Sequence, residues 1–163
     1  MNSMKKDIKI LSIISVVGLF ILLSGCTSKS ATSVFDKDPR YAQNLQYTQV
    51  GKIIVKDEVE ALINVTYLNS VDSSKWDNEK QNFLVGTYIT NKTSEDYNLT
   101  MNKQPIISTV TIKKSDEIYK NIAMRNNWAD YSIVTFDDNE SLNLNILYSH
   151  PKDGNASLTF EKE

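Results

Sequence analysis

One cysteine, one histidine, three prolines and five glycines are all that this 163-residue chain holds of those four types. A single Cys and a single His leave almost no material for a protein-ligated zinc site or a Cys/His catalytic pair. After residue 26 the glycines stand alone at 51, 86 and 154, so there is no Gly-rich phosphate loop. Basic residues are not in excess: 18 Lys+Arg face 20 Asp+Glu. That balance argues against a dedicated nucleic-acid binder. Lys113-Lys114 is the best basic cluster, and no aromatics are interleaved with it, so it reads as a solvated pair. Long apolar runs are missing beyond the N-terminus, which excludes a polytopic membrane protein. A hydrophobic content of 40% excludes a wholly disordered chain.

What the N-terminus does have is a three-part layout. Lys5, Lys6 and Lys9 face a single Asp7. Ile10 to Leu23 is apolar, broken by Ser12, Ser15 and Gly18, and Leu23-Ser24-Gly25-Cys26 follows. A basic head, an apolar stretch and a small-residue exit form an export signal. The apolar run has 14 residues, about 21 Å as a helix. A bilayer core wants about 20 residues, so a spanning anchor fits less well.

Leu23-Ser24-Gly25-Cys26 closely resembles the lipobox of bacterial lipoproteins. The resemblance implies that the Cys26 thiol receives a diacylglycerol and that the chain is cut between Gly25 and Cys26. The two chains of the diacylglycerol, or three once the freed amine is acylated too, would make the anchoring stable, since one chain alone is marginal. Thr27, rather than Asp, follows Cys26. By the family's sorting rule this implies the outer membrane of a diderm host. The expected organisation is a signal peptide over 1–25, a lipidated Cys and polar tether over 26–39, and a folded domain over 40–163. Residues 1–25 contain three Lys and one Asp. The remainder therefore keeps 15 basic and 19 acidic residues, a net charge of −4. An acidic body does not bind an anionic lipid surface by itself, so the lipid must hold it.

Beyond the tether, period-two alternation dominates. Val59, Ala61, Ile63, Val65 and Tyr67 share one parity; Phe83, Val85, Thr87 and Ile89 share another, although Leu84 and Tyr88 make both faces of that run apolar. Similar runs start at Gln46, Tyr97, Ile106, Ile133, Leu142 and Ala156. Turn residues separate them, as at Asp72-Ser73-Ser74, Asp137-Asp138-Asn139 and Pro151-Lys152-Asp153-Gly154-Asn155. One stretch breaks the pattern. Ser115 precedes Asp116-Glu117, and Ile118 and Ile122 are spaced i,i+4. This predicts a short helix over 116–126, capped by Ser115 and turning both isoleucines inward. About 7–9 short strands in about 120 residues predict an all-β fold, an antiparallel β-sandwich of immunoglobulin type, with a small barrel as the alternative.

Candidate chemistry is sparse. His150 precedes Pro151 at a strand end and reads as a surface turn histidine. Asp137-Asp138-Asn139-Glu140 lacks the spacing and glycine of an EF-hand and reads as a solvated hairpin turn. Trp76 and Trp128 lie in polar segments, as exposed recognition anchors or as plugs on the end of the sandwich. No catalytic set, metal site or cofactor motif is legible. Five Asn-x-Ser/Thr triplets occur, and those at Asn98, Asn139 and Asn155 carry an acid two residues earlier. Bacteria of the Campylobacter type glycosylate such extended sequons, so these three are possible N-glycosylation sites.

In its short lipoprotein signal, polar tether and Asn/Lys/Ile-rich β domain, the chain resembles uncharacterised lipoproteins of epsilon-proteobacteria. That resemblance implies a variant immunoglobulin fold and supplies no catalytic residues. The expected function is a non-enzymatic protein–protein interaction module of the cell envelope. The membrane, through the lipid, and another envelope protein would be its partners, with nucleic acid excluded. A pocket between the sheets, for lipid or glycan, is the alternative.

Overall fold

Two-residue turns close two of the hairpins. Strand β1 (Thr48–Val55) pairs with β2 (Glu58–Tyr67) across Lys56-Asp57, whose φ angles are 50° and 66°. Strand β4 (Asn98–Met101) pairs with β5 (Gln104–Pro105) across Asn102-Lys103, at 47° and 69°. Positive φ at both central residues is the turn whose twist matches that of the flanking strands. The computed structural model describes residues 39–76, 79–90 and 97–162. The expected signal peptide, Gly25, Cys26 and all of the tether but Pro39 lie outside them.

The remaining strands are β3 (Lys80–Ile89), β6 (Ser108–Thr111), β7 (Asp130–Asp137), β8 (Asn143–His150) and β9 (Gly154–Glu161). They form two antiparallel sheets, a five-stranded one in the order β1-β2-β3-β7-β6 and a four-stranded one in the order β5-β4-β8-β9. The chain crosses from the first sheet to the second after β3, returns after β5 and crosses again after β7. Setting β1 and β5 aside, β2-β3-β7-β6 and β4-β8-β9 reproduce the A-B-E-D and C-F-G order of the immunoglobulin sandwich. The two sheets are separate, so the barrel alternative falls.

The predicted alternation is the core. Ala61, Ile63, Val65 and Tyr67 of β2 meet Leu144, Ile146 and Tyr148 of β8 and Ala156, Leu158 and Phe160 of β9. Phe83 is fully buried at the centre, with ring centroids 5.0 Å from Tyr67, 5.9 Å from Phe136 and 5.6 Å from Phe160. Such offset and edge-to-face pairs add to burial. The ends of the runs stray from the core: Val59 and Leu142 are exposed.

The five-stranded sheet is buried on its second face too. Leu84 and Tyr131 point away from the main core and join Leu68, Tyr119 and Ile122 in a smaller cluster. The segment between β6 and β7 folds back to provide that cover. Its helix is shorter than expected. Only Glu117–Lys120 (α3) is helical, and Asp116, not Ser115, occupies the N-cap position, without a side-chain capping bond. It stops at Asn121, whose N–H donates to the Ile118 carbonyl. Further on, Met124 takes a φ of 53°, and the carbonyls of Ala123 and Met124 accept Asn64 Nδ2 at 3.2 Å each. Ile122 is buried as expected, but Tyr119 rather than Ile118 is the buried residue of the turn.

Two further helices escape the period-two reading: α1 (Pro39–Gln46) and the single turn α2 (Leu68–Val71). Pro39 opens α1, where its missing N–H costs nothing. No residue of α1 is buried, so it is held at its sides, by Arg40 to Glu117 and by Asn44 to Asn121.

Candidate interaction surface

Strand β6 was expected to bury Ile106 and Val110. Instead all four of its residues are exposed, Val110 by 58%. Among the described residues it is the end strand of the larger sheet, paired to β7 alone. Ile106 and Ile107, just ahead of it, are exposed as well. The alternation correctly marks strand conformation here, because β-branched residues suit an extended backbone whether or not they are covered. It does not mark burial.

An edge strand presents unpaired N–H and C=O groups, and proteins usually blunt such edges with lysine, proline or a bulge. The other end of this sheet is blunted. β1 carries an exposed Lys52 and a register shift between Ile53 and Ile54. It also lies against β9: Gln49 Nε2 donates to the Thr159 carbonyl, and Gly51 packs so closely that an added Cβ would be 3.0 Å from Ala156 Cβ. β6 reads Ser-Thr-Val-Thr, without charge, proline or a register shift. Lys113-Lys114 follows two residues later.

The two tryptophans part company. Trp76 is half-buried against the smaller cluster, as a plug. Trp128 is 82% exposed, two residues before β7, the strand to which β6 pairs. Its backbone is fixed: Trp128 N–H donates to Asn126 Oδ1 at 3.0 Å, and Asn126 N–H donates to the Tyr131 hydroxyl at 2.8 Å. An exposed aromatic on an ordered turn suits recognition better than one on a loose loop.

His150 is not at the surface. Its side chain is 7% exposed, and its ring stacks on Tyr97 at 4.6 Å, which in turn stacks on Tyr148 at 5.0 Å. Nδ1 accepts the backbone N–H groups of Lys152 and Asp153 at 3.3 and 3.1 Å, and it lies 2.8 Å from Asp153 Oδ2. The histidine therefore closes the β8–β9 turn from inside. The Tyr97 hydroxyl donates to Asp153 Oδ2 at 3.2 Å. Burial first, and that carboxylate second, push the Tyr97 phenol up to about 12. Burial pushes Tyr148 upward as well.

The acidic cluster is not a hairpin turn but the link between the sheets, since β7 and β8 belong to different ones. Asp137 pairs with Lys80 at 2.6 Å. Asp138 accepts from Lys162 and from Gln81, and these bonds hold its carboxyl below the usual range. Lys162 also donates to the Asn139 carbonyl. The acids serve to fasten the chain end. Among the described residues no group of three or more His, Cys, Asp or Glu is placed to hold a metal ion.

Asn98 and Asn155 both pair with Ser149, one from each side, on the exposed face of the smaller sheet. Strand spacing puts them about 10 Å apart. Asn139 is half-buried, its Oδ1 accepting the Ser141 N–H at 3.1 Å. The space between the sheets, where a ligand pocket was one expectation, is filled by the Phe83 cluster and its neighbours. Comparison with protein-family models, curated proteins and solved structures returns no match to this chain.

Proposed function

We propose that this chain is a lipid-anchored, non-enzymatic protein of the bacterial envelope, most simply of the outer membrane, that binds another envelope protein by lengthening its larger sheet at β6. The unguarded β6 edge carries this reading. Main-chain bonds to an added strand supply affinity, and alternate side chains supply selectivity. The partner segment is extended, uncharged and β-branched opposite Thr109 and Val110, with an acid placed to meet Lys113-Lys114. Trp128 is a second contact beside the same strand pair. Cys26 contributes attachment alone. The reading assigns no cofactor and no role for nucleic acid.

The test is in-cell cross-linking of tagged full-length protein, followed by mass spectrometry of what co-purifies from solubilised membranes. A stoichiometric partner is expected with the wild-type chain and lost with Val110→Lys, a change at an exposed position that places a charge on the edge. A labelled fatty acid is expected on the wild type and absent from Cys26→Ser. Partner recovery indifferent to Val110→Lys overturns the edge. An unlabelled Cys26 overturns the anchor.

A further inference from the structure

A second site lies at the helical end of the domain and uses none of the β6 residues. Arg40 Nη1 meets Glu117 Oε1 at 3.3 Å, and Asn44 Nδ2 donates to the Asn121 carbonyl at 3.0 Å. Together these contacts tie α1 to α3. Between that tied pair and α2, with the loop that follows it, is a cleft of about 400 Å³. Small-ligand pockets run from about 300 to 1,000 Å³.

Its lining has three chemical parts. Leu68, Val71, Ile118 and Trp76 supply apolar surface. Among the described residues, Arg40 and Lys75 are matched by Asp72 and Glu117, two basic groups against two acidic ones. Amides and hydroxyls, such as those of Gln43, Asn121 and Ser73, fill the rest. The polar groups are positioned in advance. Asp72 Oδ1 accepts from Ser74 Oγ at 2.6 Å, and the Lys75 ammonium sits 5.5 Å from the Trp76 ring centroid.

A charge-balanced lining gives no advantage to an anion or a cation. A lining that mixes apolar side chains with amides, hydroxyls and balanced charges instead matches a molecule with one apolar face and many hydroxyls. That is a pyranose ring, whose C–H face packs on apolar and aromatic side chains while neighbouring hydroxyls bridge to carboxylate and amide groups. We propose that this cleft binds a short, neutral oligosaccharide.

The test is an amide-resolved NMR titration of the full-length chain. The probes are diacetylchitobiose, maltose and lactose, with Ala-Ala as a zwitterionic competitor. At least one disaccharide is expected to shift the backbone amides of 70–76 and of Asn121 saturably, with a Kd on the order of 1 mM or tighter. Asp72→Asn and Ser73→Arg, both at exposed positions, are each expected to weaken that binding about tenfold or more, which is a difference of about 1.4 kcal/mol. Their amide spectra away from the cleft report that the fold is retained. Val110→Lys is expected to bind the sugar as the wild type does, so this proposal and the edge-strand reading fail separately. Three outcomes overturn the proposal: no saturable shift with any disaccharide, tighter binding of Ala-Ala at these residues, or sugar binding indifferent to both cleft variants.

Discussion

Gly86 is a glycine because Tyr131 lies where its side chain would be. A Cβ there would stand 2.3 Å from Tyr131 Cε1. Gly86→Ala is expected to displace that ring and lower stability by about 1–3 kcal/mol, read as a lower denaturant midpoint. Burial pushes the phenol of Tyr131 upward, as it does those of Tyr97 and Tyr148. The folded state thus keeps protons that the unfolded chain releases near pH 10. Stability from this source is complete below pH 10 and is lost as pH rises from there through about 12, the Tyr97 value. A denaturant midpoint that falls above pH 10 is expected, with a shallower fall for Tyr97→Phe. Gln104 makes the opposite case. Its Oε1 is buried without a hydrogen-bond partner. Gln104→Met is expected to raise stability by about 1 kcal/mol, since an unmet buried polar group is removed. None of these environments is local in sequence. Tyr97 reaches His150 from the position just ahead of β4, which is why a histidine before Pro151 reads as a surface residue until the strands are assembled.

The strands were more legible than the helices. Alternation locates them because an extended backbone turns successive side chains to opposite faces, and the turns between them are rich in Asn, Asp and Ser. The doubled apolar pattern of β3, with Leu84 and Val85 adjacent and both buried, also held information. A strand that is apolar on both faces requires cover on both, and the segment between β6 and β7 provides it. What could not be read was the form of that cover. Ser115, Ile118 and Ile122 satisfy helical spacing, but the chain beyond Asn121 is held by Asn64, about 60 positions earlier. Asn64→Ala is expected to cost about 1–2 kcal/mol and to speed amide hydrogen exchange selectively over 118–131. Uniform acceleration across both sheets would instead mean that the cover segment and sandwich open together. The cleft was illegible for a similar reason: α1, α2, the loop after it and α3 contribute to it from distant parts of the chain, although Trp76 had been singled out.

At the scale of the molecule, the two sheets, seven of whose strands follow the immunoglobulin order, enclose one continuous aromatic centre. Phe83 touches three other rings from three different strands. Phe83→Ala is expected to lower stability by about 3–5 kcal/mol, a large part of what a domain of this size possesses. A guanidinium titration checks it, with loss of a cooperative transition as the extreme result.

The two ends of the larger sheet differ in kind. Its β1 end is turned against β9, while among the described residues its β6 end is open. If β6 takes up an added strand as proposed, the larger sheet is monovalent: it accepts one extended segment and then has no equivalent edge to offer the next. In a growing assembly of strands it would act as a cap, fixing length and stoichiometry, and it would not polymerise with itself. The same asymmetry would keep an uncharged, β-branched edge safe at high local concentration, because a pair of molecules joined edge to edge would be a terminus and not a seed.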